Sequence, residues 1–253
     1  MQSKTELLDK IQEKEDRVFL ASVYDKLEQS DRKNYPVFSD FLDARQIVLV
    51  QSVFPFWRDR IRFFGGIRNA ERQICYLEFG YEDFPVRLLE IFSSQMDKIT
   101  HGDVLGSLMG LGMKRQKIGD ILTGERLIVA MKEEVAEYIC MELSQISRYP
   151  VTVKILDDFT VERKQQFSAR STTVSSLRLD CLVADIAHLS REKAKSYIIA
   201  GKVKVNHFEE TNYKHLLCEG DVLSLSHVGR FLLDTVDGFT KKDRVKITIK
   251  KYE

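Results

Sequence analysis

The chain has 253 residues, with 39 Lys and Arg against 38 Asp and Glu, a formal net charge of +1. A hydrophobic content of 43% and a charged content of 30% are those of an ordinary folded protein, so general disorder is excluded and there is room for two or three compact domains. No apolar run approaches the ~18–20 residues of a membrane span, and Met1-Gln-Ser-Lys-Thr-Glu6 lacks the apolar core of a signal peptide. A cytoplasmic protein with no membrane partner is expected.

Residues 1–57 read as a helical N-terminal region. Leu7, Leu8, Ile11, Val18, Phe19, Ala21, Val23 and Leu27 recur at helical spacings within a charged stretch, which predicts two helices. Lys33-Asn-Tyr-Pro36 reads as a turn, and Ser39-Asp40 as the cap of a further helix through Phe41, Ala44, Ile47 and Val48. Phe54, Phe56, Trp57, Phe63 and Phe64 are expected in a core or domain interface.

From 58 to 160 the pattern changes. Arg60–Phe64, Ile74–Phe79, Val86–Phe92, Arg126–Met131 and Val151–Leu156 read as strands. Gly102–Leu122, broken near Gly110–Gly112, and Lys132–Ser147 read as helices. This mixture predicts an RRM-like α+β sandwich, with helices on one face of a mainly antiparallel sheet. Lys114, Arg115 and Lys117 form a basic cluster beside glycines. It has two readings, a backbone cradle for phosphate or a surface turn packed on Leu108, Met109 and Ile118.

Residues 161–173 are polar and read as a linker. Residues 174–253 read as a small C-terminal domain, giving an α+β fold class overall. The charge divides unevenly: residues 171–253 hold 14 Lys and Arg against 11 Asp and Glu, and the remainder is slightly acidic. Lys241-Lys242 and Lys250-Lys251 read as solvated strand ends. Cysteines 75, 140, 181 and 218 form no Cys-x-x-Cys pair and read as buried reduced thiols. His215-Leu-Leu-Cys218 has a spacing a metal could use, but only His207 and His227 stand nearby to complete it. No metal and no cofactor is expected.

The C-terminal domain carries the clearest signal. Leu179, Leu182, Val183 and Ile186 make one apolar helical stripe. Ser190 stands where an N-cap belongs, followed by Glu192 in the first turn of a second helix. Gly201 suits the helix end, and Val203 and Val205 alternate with Lys202, Lys204 and Asn206 as in a half-buried strand. Residues 188–206 set Arg191, Lys193, Lys195, Lys202 and Lys204 against the single acid Glu192. Arg191, Lys195, Lys202 and Lys204 are expected to share one rim around the helix–strand turn, a basic surface suited to nucleic acid.

These residues resemble the S4-like RNA-binding domain, or αL motif, over roughly 174–235. Its pattern is matched by Arg178-Leu179-Asp180 with Leu182, Ser190-Arg191 with Ala194, Gly201 with Val203, Val205 and Asn206, Gly220-Asp221, and Gly229-Arg230. The resemblance implies binding of structured RNA through Arg178, Ser190, Arg191, Lys193, Lys195, Lys202, Lys204, Asn206 and Arg230. The whole arrangement resembles the bacterial YlmH family. Leu108-Met-Gly-Leu-Gly-Met-Lys-Arg-Gln-Lys-Ile-Gly-Asp-Ile-Leu122 and Gly65-Gly66 with Glu71-Arg72 are similar to stretches of that family. This implies a non-catalytic protein that binds ribosomal RNA and tRNA on the large ribosomal subunit. Related factors steady peptidyl-tRNA in ribosome-associated quality control, and the family's gene neighbourhood is linked with cell division, so ribosome-rescue or cell-division proteins are further partners to consider.

Two other classes compete. An enzyme with an appended S4-like domain would need further signatures. Arg178-Leu-Asp180 does not stand in a pseudouridine-synthase setting, Met113-Lys-Arg-Gln-Lys117 only echoes a synthetase loop, and the glycines at 102–112 lack the context of a cofactor loop. No catalytic residue is therefore assigned. A protein-interaction scaffold with an incidental basic patch is the other alternative.

Overall fold

The computed structural model describes residues 4–80 and 83–253. Residues 1–3, the start of the stretch read as lacking a leader core, lie outside the described residues. The chain forms two compact units that divide after Arg163. The fold is α+β, and among the described residues no helix is long and apolar enough to cross a membrane.

The first unit opens with α1 (Lys4–Leu8) and α2 (Lys14–Lys33). Helix α2 buries Leu20, Val23, Tyr24 and Leu27 on one stripe and stops at Asn34, whose left-handed backbone lets its N–H reach Ser30 O. Tyr24, Phe54 and Trp57 pack as one ring cluster with centroids 5.2–6.2 Å apart, so those two of the predicted aromatics are core. Phe56 is exposed. Helix α3 (Ala44–Val53) starts later than expected, because its cap is Asp43, paired in a capping box with Gln46. Ser39 is instead buried, and its hydroxyl accepts from Cys75 N at 2.7 Å. Strands β1 (Ile61–Phe64) and β2 (Ile74–Leu77) pair antiparallel.

Then come β3 (Val86–Phe92), α4 (His101–Gly110), β4 (Ile118–Leu122), β5 (Leu127–Lys132), α5 (Glu133–Glu142), a short β6–β7 hairpin (Gln145–Ile146, Tyr149–Pro150) and β8 (Thr152–Leu156). The main sheet has the order β4-β5-β3-β8 with antiparallel neighbours. Set aside the small hairpin, and this is the β-α-β-β-α-β arrangement of ferredoxin-like folds. Residues 118–122, expected to end a helix, are strand. Helix α4 stops at Gly110, and Gly112 follows at φ +82, so the chain has already turned when Ile118 begins to pair with β5.

One sheet face packs Leu89, Ile91, Val129 and Met131 against Val104 and Leu108 of α4 and Ala136 and Ile139 of α5. The other packs Val86, Leu88, Ile128 and Ala130 against Phe41, Ile67, Ala70, Ile74 and Val161. Every residue of β5 is therefore buried. This explains why residues 1–57 and 58–160 do not separate as expected: Phe41 joins Ile67, Ala70, Ile74 and Val161 in covering that face of β3 and β5.

The second unit holds β9 (Phe167–Val174), α6 (Leu179–Ile186), α7 (Arg191–Ile199), β10 (Val203–Val205), β11 (Phe208–Glu209), β12 (Val222–Leu225), β13 (Gly229–Phe239) and β14 (Val245–Tyr252). Its antiparallel sheet runs β11-β10-β12-β13-β14-β9. Most of the expected linker is thus a strand. Residues 167–174 pair along the whole of β14, from Tyr252↔Phe167 to Val245↔Val174, and the polar Ser/Thr run is tolerated because β9 is an edge. Helices α6 and α7 cover one face, over Val203, Val205, Leu223, Leu225, Leu233 and Ile247. The four cysteines carry no disulfide, but only Cys75 and Cys181 are buried; Cys140 is half-buried and Cys218 exposed. Burial pushes the Cys75 thiol up to about 12, so it stays protonated.

Gly119 lies under Phe41, the ring that closes the second sheet face. A Cβ there would fall 2.6 Å from Phe41 Cε1 and 3.0 Å from Ala130 Cβ. Gly119→Ala should therefore destabilise the first unit by about 1–3 kcal/mol through overpacking. An unshifted urea midpoint would contradict this packing.

Candidate nucleic-acid interface

Helix α6 begins without a side-chain cap. Arg178 occupies the cap position in extended backbone, and the first helical N–H groups find carbonyls elsewhere. Leu179 N donates to His215 O at 2.8 Å and Asp180 N to Tyr213 O at 3.1 Å. The loop 213–215 is thereby fixed against the helix start. Helix α7 has a conventional cap, the Ser190 hydroxyl accepting from Lys193 N at 3.3 Å. Gly201 then turns the chain at φ +69, where a Cβ would also meet Glu209 Oε1 at 2.6 Å.

Asp180 is the centre of the site. It is fully buried. Arg178 donates to it through Nε and Nη2, both at 3.0 Å, and Arg191 through Nη2 at 3.0 Å. Burial pushes the Asp180 carboxyl up, but the hydrogen bonds from Arg178 and then Arg191 outweigh it and hold it below the ordinary carboxylate range. One internal charge thus fixes two arginines. The Arg191 side chain is still 53% exposed, and it uses one of its nitrogens on the carboxylate.

Tyr213 extends this surface. Its ring has Lys195 Nζ at 5.5 Å, Arg178 Cζ at 5.8 Å and Lys214 Nζ at 5.9 Å. Lys195 is also paired with Glu192 at 2.7 Å. Tyr213 and Lys214 were not singled out in the sequence. They sit in an irregular loop, and only the backbone bonds to α6 bring them to the arginines. Their one sequence signal is an aromatic beside a lysine in a polar stretch.

The structure divides the predicted residues rather than gathering them on one rim. Arg178, Arg191 and Lys195 come together, and Lys193 is exposed on α7. Lys202 lies at the other end of α7, over the Tyr197 ring at 5.6 Å. Lys204 is not on the helix side at all: Val203 and Val205 point to the helices, so strand alternation sends Lys204 to the opposite sheet face. Arg230 is on that face too, since Lys204 and Arg230 both register against Ser224. Ser190 caps α7. Asn206 holds the β10–β12 connection, accepting from Val222 N at 2.9 Å and donating to Asp221 at 2.8 Å.

In the first unit the basic cluster is engaged internally. Lys117 pairs with Asp40 at 2.6 Å and Glu134 at 2.7 Å. Arg115 donates to Ile118 O at 2.6 Å and Gly119 O at 3.2 Å, while Lys114 is exposed. Burial first, and Arg72 second, pull the Arg115 guanidinium down to about 10, still far above neutral. This is the surface-turn arrangement rather than a phosphate cradle. As for metals, His215 Nδ1 is 2.9 Å from Glu210, and among the described residues no group of three or more His, Cys, Asp or Glu could hold an ion.

Asp180 predicts a pH dependence. Its folded pKa is depressed, so its contribution to stability is complete above the unfolded value of ~3.9 and is lost as pH falls through the folded value. Asp180→Asn should lower the melting temperature at pH 7 and leave a smaller further loss than in the parent protein as pH falls below about 4. Equal acid sensitivity in parent and variant would overturn the assignment of this carboxylate as the ionised anchor.

Residues 80–159, the β3–β8 region, match a family model described as "Putative RNA-binding domain in YlmH". That region lies in the first unit, outside the residues the sequence pointed to. The chain is 32% identical over 226 residues to the ribosome-associated protein quality control protein P2 of Bacillus subtilis (strain 168), covering 84% of this chain and 86% of the relative. A solved structure of the cell division protein ylmH from Streptococcus pneumoniae is 22% identical, with a TM-score of 0.48 over 57% of this chain and 92% of that one. The extent and identity of the Bacillus match place the chain in the YlmH family.

Proposed function

We propose that this protein binds structured RNA, ribosomal RNA and tRNA of the large ribosomal subunit, and steadies peptidyl-tRNA during ribosome-associated quality control without chemistry of its own. The observation that carries the reading is the pair Arg178–Arg191 fixed on buried Asp180, with Lys195, Lys214 and Tyr213 beside it. Guanidinium groups held by an internal carboxylate are pre-oriented for phosphate, which lowers the ordering cost of binding. The S4-like pattern of α6, α7 and the following turn supports structured RNA as the ligand. The quality-control name of the Bacillus relative supports the ribosomal setting. Such RNA is read through shape and phosphate contact rather than a base code.

Lys195→Glu with Lys214→Glu, which leaves Arg178 and Arg191 on Asp180, should weaken binding of the full-length protein to large-subunit RNA by at least tenfold, with an unchanged circular dichroism spectrum. Unchanged affinity would remove this surface from the interface. With about four or five phosphates neutralised, log affinity should fall with log salt at a slope of about 3–4. A flat salt dependence would favour the scaffold alternative. The non-catalytic part is tested by incubating the protein with ribosomal subunits and analysing the RNA by mass spectrometry. A new stoichiometric modification, or cleavage of peptidyl-tRNA by the protein alone, would replace the holding role by an enzymatic one.

A further inference from the structure

The second unit has a sheet face turned away from α6 and α7. Alternation along β14 puts Lys246, Thr248, Lys250 and Tyr252 on it, opposite the buried Val245, Ile247 and Ile249. Register carries one row across the strands. Lys204 faces Ser224, Ser224 faces Arg230, and Tyr252 faces Phe167. Arg230 and Tyr252 close the row, the guanidinium lying 4.0 Å from the tyrosine ring centroid. The two rings then meet edge to face at 4.9 Å, and Lys250 Nζ stands 5.9 Å from the Phe167 ring.

This row differs from a solvated strand end. Phe167 is 38% exposed at an edge strand, where an isolated phenylalanine gains little from burial. The rings are not part of the hydrophobic core of the unit, which lies on the helix side. The face also carries acids: Asp234 pairs with Lys250 at 2.8 Å, Asp237 accepts from Thr235 at 3.0 Å, and Glu209 stands at the far end of the row, across from Lys204. The exposed Phe167 and the half-buried Tyr252, flanked by Arg230, Lys204 and Lys250, combine the features that unpaired nucleic acid requires, faces for stacking and cations for phosphate.

We infer that this outer face binds a single-stranded RNA segment, with bases stacking on Phe167 and Tyr252 and phosphates held by Lys204, Arg230 and Lys250. The inference rests on the RNA-binding reading above. It adds a second surface of different character, for unpaired nucleotides adjoining the structured element held at Arg178 and Arg191. It also gives Lys204 and Arg230 a place in binding that the helix side denies them.

The test uses the full-length protein and fluorescence anisotropy with three probes: a large-subunit RNA hairpin, the same hairpin with a single-stranded uridine tail, and an unstructured oligouridine. The tail should tighten binding about tenfold or more, the worth of one stacked base. The double variant Phe167→Ala with Tyr252→Leu should lose that gain and keep the affinity for the tail-less hairpin, which also shows that it is folded. Phe167→Trp, which retains a ring, should keep the gain. No gain from the tail in the parent protein, or a gain that survives loss of both rings, would overturn the inference. If the hairpin fails to bind while oligouridine binds in a ring-dependent way, the structured-RNA reading fails and the outer face stands.

Discussion

A charge without contact to water sets the geometry of the second unit. Asp180 is fully buried, and an ionised carboxylate in that position persists only if it is neutralised by hydrogen-bonded partners. Arg178 supplies two donors and Arg191 a third, one from the cap of α6 and the other from the first turn of α7. The angle between the helices is thereby coupled to the placement of both guanidinium groups. Replacing the trio by apolar residues could leave the fold intact, as buried ion pairs are often replaceable. It would abolish the fixed cations. The carboxylate is better understood as positioning the surface than as stabilising the core.

The first unit uses the same device for a different end. Asp120 is 5% exposed and accepts from Glu71 N and Arg72 N at 2.9 Å and from Arg163 at 3.0 Å. Arg72 answers by donating to Ile118 O and Phe41 O. The Gly65–Arg72 and Ile118–Leu122 stretches, far apart in sequence, are therefore one structural feature that fastens the N-terminal segment over the sheet. The ferredoxin-like sheet is covered over β5 and most of β3, by helices on one side and by Phe41 with Ile67 and Ile74 on the other, while Phe92 and much of β8 stay exposed.

Much of the second unit was legible in the sequence because its signals are local. The stripe of α6, the Ser190 cap, Gly201 and the alternation through β10 each follow from spacing over a few residues. The errors came where a partner distant in sequence decides. Residues 167–174 carry too few apolar side chains to announce a strand, and β14 supplies the pairing. Ile118–Leu122 continued an apolar spacing from α4, and only the turn at Gly112 and pairing with β5 make it a strand. Lys204 is the instructive case. Its alternation with Val203 and Val205 already separates it from the side the valines face. What was missing was that the helices also pack on the valine side.

That separation has a physical consequence for binding. A surface of pinned arginines interacts with phosphate mainly through charge, so its affinity responds steeply to salt. A pair of touching rings flanked by cations draws part of its affinity from stacking, which salt screens far less. Two such faces on opposite sides of one sheet cannot grip the same short duplex. They can hold a folded element on the helix side and the unpaired strand that leaves it on the other. The sheet between them, buried through Leu223, Leu225, Leu233 and Ile247, keeps the two contacts at a fixed separation. Binding at one face then raises the effective concentration of the adjoining nucleotides at the other, an advantage that exists only while the linking RNA can span the thickness of the unit.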